Sequence, residues 1–329
     1  MYFIAMRSSR EAFFNSSDLG DLKGGLRKGW APSFPIPAPF FNTLLAFMLL
    51  ALAGLAGCSG TRLAYNHADT VVRWMANDYF VLEGAQEDDF KARLARFHDW
   101  HRSEELPRYS ALMAGAGDKL AAGLTQQDLL WAWGSVQARY RHMAEQAAPE
   151  LAAVLATLTP AQFTRLAQKF AESDAEFTKK HLRGSVAEQR QRRDKRNLEL
   201  LREWFGDLSD AQEARLKISS AGLPLLYPLR LHNRQRRQGE FVALLKAYRS
   251  PAELEPGLRR WLTDWEEGAS PEYRRLSGLY RERYMQMLLE LDRSLAPAQR
   301  AHALARMQEY GEIFARLASE SKPAPQAPD

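Results

Sequence analysis

The chain has almost none of the residues from which sheets are built, with seven valines and four isoleucines among 329 residues. Strands favour β-branched side chains for a pleated, half-buried surface, whereas the Leu, Ala, Arg, Glu and Gln that dominate here favour helices. A sheet-based fold is therefore excluded, and an almost entirely α-helical chain is expected. There is one cysteine, Cys58, so no internal disulfide can form. Enzyme signatures are also missing: there is no Gly-x-Ser-x-Gly elbow, no phosphate-binding glycine loop and no His-Glu-x-x-His. Adjacent acids such as Glu104-Glu105 and Glu266-Glu267 diverge around a helix and make no facing pair. The expectation is a non-enzyme, with no catalytic residue, no metal and no cofactor.

What is present begins with an uncharged apolar run from Leu44 to Ala56. It is the length of a secretory core and too short for a comfortable span, which needs ~20 apolar residues. Leu55-Ala56-Gly57-Cys58 follows, and its small residues suit the extended backbone a signal peptidase requires. These four residues resemble the lipobox of bacterial lipoproteins, in which signal peptidase II cuts before a diacylglyceryl-modified cysteine that is then acylated. The resemblance implies covalent diacylglycerol and an acyl chain on Cys58, enough for stable anchoring. It also leaves no thiol for catalysis. An uncleaved anchor over residues 39–57, extended by Phe40 and Phe41, is the alternative; both readings place residues 59–329 outside the cytoplasm. Ser59 stands where such lipoproteins carry an inner-membrane aspartate, so the resemblance implies a lipid anchor in the outer membrane with the body in the periplasm. Arg27 and Lys28 supply a basic start, but Pro32, Pro35, Pro37 and Pro39 intervene. A true start near Leu22 or Leu26 would explain this, and residues 1–57 are treated as a signal region.

Five of the 45 basic and three of the 40 acidic side chains precede Cys58, leaving 40 against 37. That balance argues against nucleic acid as a partner. Apolar residues recur at helical spacing in Phe90, Leu94 and Phe97, and in Leu130, Trp133, Val136, Tyr140 and Met143. Phe163 to Phe177, Leu198 to Phe205, Phe241 to Tyr248, Tyr280 to Leu291 and Leu304 to Leu317 do the same. The spacing predicts an elongated antiparallel bundle of eight to ten helices over residues 58–320, with these aromatics in its core. Gly115 to Gly123 reads as a loop, Gly206-Asp207 and Gly268 to Pro271 as breaks, and Leu223-Pro224 to Pro228 as a kink or break. Two lobes meeting near residues 206–228 are one arrangement of the bundle. The proline-rich end, residues 321–329, has nothing to bury and is expected to be disordered.

A short helix-start motif returns at Leu158-Thr159-Pro160-Ala161-Gln162, Leu208-Ser209-Asp210-Ala211-Gln212 and Leu295-Ala296-Pro297-Ala298-Gln299. Looser copies begin at Leu124 and Leu82. Thr159 or Ser209 can cap a helix, proline costs nothing in the first turn, and the glutamine can bond back. Leu158 to Gln162, with the spacing of its neighbours, resembles the Leu-Thr-x-x-Gln signature of the Spy/CpxP periplasmic chaperones, which cradle unfolded clients.

Two further groups of residues suggest sites. After Tyr65, Asn66 and Asp69 come Trp74, Asp78, Tyr79 and Phe80, then Trp100-His101-Arg102 and Glu105-Leu106-Pro107-Arg108-Tyr109. Together these resemble an uncharacterised family of Gram-negative lipoproteins known only as a domain of unknown function. His98, His101 and Glu105 share a helix face and could ligate a divalent metal, or form an enzyme site. Arg102 and Arg108 crowd them with positive charge, which favours a structural knot between the first two long helices. Basic runs hold Lys179, Lys180, Arg183, Arg190, Arg192, Arg193, Lys195 and Arg196, then Arg230, His232, Arg234, Arg236 and Arg237. They read as solvated helix faces paired with acidic neighbours, or as a stripe for anionic lipid or lipopolysaccharide. The role expected overall is a helical module that binds an envelope protein client or lipid headgroups.

Overall fold

A computed structural model describes Arg62 and residues 64–320. The signal region with Leu55, Ala56, Gly57 and Cys58, and the tail 321–329, lie outside the described residues. Among those described there are eleven α-helices and no strand: α1 (Ala68–Phe80), α2 (Ala85–Trp100), α3 (Leu106–Ala122), α4 (Gln126–Leu155), α5 (Pro160–Phe177), α6 (Val186–Phe205), α7 (Asp210–Ala221), α8 (Tyr227–Ala247), α9 (Pro251–Thr263), α10 (Pro271–Arg293) and α11 (Pro297–Ser319). Wide π turns at His101–Glu105 and Thr178–Leu182 extend α2 into α3 and prolong α5. No described helix is long and apolar enough to cross a membrane.

Local chemistry sets the helix starts. Thr125, Thr159, Ser185 and Ser209 each accept a bond from the third helical residue, whose own side chain bonds back. At α11 the cap residue is Ala296, and only the return bond from Gln299 survives.

Two apolar cores result. The larger joins α1 to α5, α8, α9 and α11 through residues such as Met75, Phe90, Tyr109, Met143, Phe170, Phe241, Leu258 and Phe314. A smaller one gathers Leu201, Leu216, Leu223, Leu226, Tyr280, Tyr284, Met287 and Leu291. The expected loop at Gly115 to Gly123 is wrong: α3 runs through Gly115 and Gly117 and stops only at Gly123, where φ is 90°. A β-carbon on Gly115 would sit 3.2 Å from the Trp131 ring, so the glycine admits that ring against the helix. Where α11 packs on α3, the hydroxyl of Ser110 donates to the Gly311 carbonyl at 2.8 Å.

Candidate functional site

The π turn between α2 and α3 precedes Pro107, which has no N–H and whose ring crowds the preceding turn. The ladder widens there, and the Leu106 N–H bonds the His101 carbonyl. This turn is the centre of a buried polar knot. Tyr65 hydroxyl and His101 Nδ1 lie 3.0 Å apart, with both residues fully buried. Arg102 donates to Asn66 Oδ1 at 2.8 Å and to the Leu317 carbonyl at 2.9 Å, so it ties the start of the described chain to α11. Its guanidinium also lies 4.9 Å over the Tyr65 ring.

Glu105 is fully buried and turns the other way. Its Oε1 accepts from His142 Nδ1 at 2.6 Å and Arg139 Nη1 at 3.2 Å, both on α4, with Arg108 at 3.5 Å. Tyr109 donates to the Met143 sulfur at 3.0 Å, and Trp100 packs 5.3 Å from the His142 ring. Pro107 and Arg108 are exposed, and Asp69 occupies the first turn of α1. His101 and Glu105 therefore face different partners, and no described group of three or more His, Cys, Asp or Glu is arranged to hold a metal. Burial, aided by His98 and Arg102, holds the His101 imidazole down to about 3, so it stays neutral. Burial also raises the Tyr65 hydroxyl above its ordinary value. The arrangement is a buried polar fastener joining four parts of the chain. Sequence spacing missed Arg139 and His142, because nothing local marks a partner thirty-four or more residues away.

The basic runs separate into two kinds of residue. Arg193, Arg234 and Arg237 are buried, which corrects their place in a solvent-facing stripe. Arg193 donates to the Leu223 and Ser220 carbonyls and pairs with Asp194; Arg234 pairs with Asp174 at 2.6 Å; Arg237 reaches the Trp261 carbonyl at 2.5 Å. A guanidinium can close orphan carbonyls that a hydrophobic side chain could not, which draws Arg193 and Arg237 inside, while Arg234 is held by the Asp174 carboxylate and the Ser173 hydroxyl. Arg236 pairs with Glu240 and Asn233. Lys179, Arg183 and Arg190 are exposed, and Lys180 and Arg192 half-buried.

The apolar stripe of α4 also departs from expectation. Its later members Tyr140, Met143 and Ala147 enter the larger core, yet Leu129, Leu130, Trp131, Trp133 and Val136 belong to neither core. Leu130 is 49% exposed and Val136 37%. Trp133 meets the Arg281 guanidinium at 5.4 Å, and Trp131 meets the Lys119 ammonium at 4.8 Å.

A family model described as Family of unknown function (DUF6279) matches residues 78–274. The chain belongs to this family. The DUF6279 match takes in the π turn at His101–Glu105, the bare half of α4 and both basic runs, and begins after Tyr65, Asn66 and Asp69. No curated protein and no solved structure matches the chain.

Proposed function

We propose that this DUF6279 protein is a lipid-anchored envelope protein of the outer membrane whose helical body holds a protein client in the periplasm, without catalysis. The observation that carries the reading is the first half of α4. There Leu129, Trp133 and Val136 continue a stripe that is buried from Tyr140 onward, and stay outside both cores. Apolar side chains left half-exposed on a helix suit an apolar segment of another chain, laid along them as in helix-groove recognition. Arg281 over Trp133 gives the surface a cationic edge, while Lys119 over Trp131 is paired with Asp128 at 2.7 Å. The lipobox-like Leu55-Ala56-Gly57-Cys58 supports the anchor, and the local resemblance of Leu158 to Gln162 to the Spy/CpxP signature supports the client-binding role. The test is light scattering of an aggregating unfolded envelope protein with and without the purified chain. Suppression at near-stoichiometric amounts is expected, and its absence at tenfold excess would sink the client-binding reading.

A further inference from the structure

The second π turn, Thr178–Leu182, has a different character from the first. His181 stacks on Tyr227 at the start of α8, ring centres 4.8 Å apart, and Phe177 completes a triangle of rings, 4.7 Å from His181 and edge-on to Tyr227 at 6.5 Å. Cations collect around this stack from three elements. Lys180 comes from the turn itself and Arg192 and Arg196 from α6, where Arg196 donates to the Tyr227 hydroxyl and Arg192 to the Arg183 carbonyl. Arg230 of α8 has its guanidinium carbon 6.0 Å from the Tyr227 ring centre and 5.7 Å from that of Tyr280. Lys180, Arg192, Arg196 and Arg230 all act on His181, which burial and these charges together hold at about 3. Lys180 is itself lowered by burial and by Arg196, with Glu176 opposing.

Among the described residues none of these four forms an ion pair, whereas Arg193, Arg234 and Arg300 each close on an aspartate. Like charges held together at a partly buried place repel one another, and an anion seated among them offsets that cost. His181 Nδ1 is buried there without a hydrogen-bond partner among the described residues. A carboxylate would answer one of four charges. A phosphate brings up to two charges and three or four acceptor oxygens, which guanidinium forks meet in pairs.

We propose that Lys180, Arg192, Arg196 and Arg230, grouped around the His181–Tyr227 stack, form a binding site for a phosphate group, carried by a lipid headgroup or by a soluble phosphate. The site is independent of the apolar half of α4, so either can fail without the other.

The full chain in nonionic detergent would be titrated calorimetrically with inorganic phosphate and with glycerophosphoglycerol, the deacylated headgroup of phosphatidylglycerol. Phosphate binding should saturate. It should weaken at least tenfold in Lys180→Gln, whose half-exposed side chain holds no structural bond, and in Arg196→Gln/Arg230→Gln. Lys246→Gln, on an exposed face of α8, should bind as the parent does. Headgroup binding lost in the same variants would assign a lipid source, and binding of phosphate alone a soluble one. Absence of saturable binding by both probes, or equal binding by Lys180→Gln and the parent, would overturn the proposal.

Discussion

Gln212 and Gln299 exchange amide hydrogen bonds, each donating to the other's Oε1 at 2.9 Å, and so clamp the start of α7 to the start of α11. Each also bonds back to its own helix start, Gln212 to Ser209 N–H and Gln299 to Ala296 N–H. Gln86 and Gln162 repeat the arrangement at 3.3 and 2.8 Å, joining the starts of α2 and α5. The helix-start motif is thus also a tertiary lock, used twice. Replacing Gln212 by Ala should cost about 1–3 kcal/mol, the sum of a cap and one or two part-buried bonds. Urea unfolding of Gln212→Ala, Gln299→Ala and the double variant should show a coupling energy above about 0.5 kcal/mol. Strict additivity would mean that the pair does not act as a unit.

Removal of the buried carboxylate at the first π turn should also be damaging. Glu105→Ala leaves Arg139 and His142 facing a void where an acceptor stood. A loss of about 1–3 kcal/mol is expected, since Glu105 is buried while Arg139 and His142 keep partial access to water. Denaturant midpoints would measure it, and a change under 1 kcal/mol would show that the knot is dispensable.

Acid should weaken the fold through two rings. His101 and His181 are both held near 3 when folded. The unfolded chain takes up their protons near pH 6.5 while the folded chain refuses them, so stability falls as pH drops from 6.5 towards 3. Each ring contributes about 1.4 kcal/mol per pH unit across that window. The contribution of His101 should vanish from the pH dependence in His101→Phe. An unchanged slope would remove His101 from the account.

The anchor is checked chemically. Cells fed labelled palmitate should incorporate it into the parent chain and not into Cys58→Ala. Label that survives the substitution would exclude lipidation at that cysteine.

The client surface is checked by Trp133→Ser. Trp133 lies outside both cores, so stability should shift by about 1 kcal/mol or less. Suppression of client aggregation should drop severalfold. Equal suppression by the variant would move the contact elsewhere on the body.

The helical class was legible from the sequence because propensity sums over long windows, and so were the helix starts at Thr159 and Ser209, where cap and return bond lie three residues apart. Roughly eight to ten helices were expected and eleven are described. Gly115 and Gly117 read as a loop because their local cost is real. Only the ring of Trp131, sixteen residues on, makes the glycine worth keeping in a helix. Position alone could not show that Arg193, Arg234 and Arg237 turn inward, or that Lys180, Arg196 and Arg230 meet, since both depend on carbonyls and cations brought from other helices. The stripe from Leu129 to Ala147 carries one periodicity throughout, and periodicity is all the sequence determines of it. Which half is buried was decided by the helices that pack against it from elsewhere in the chain, a fact that belongs to the tertiary structure.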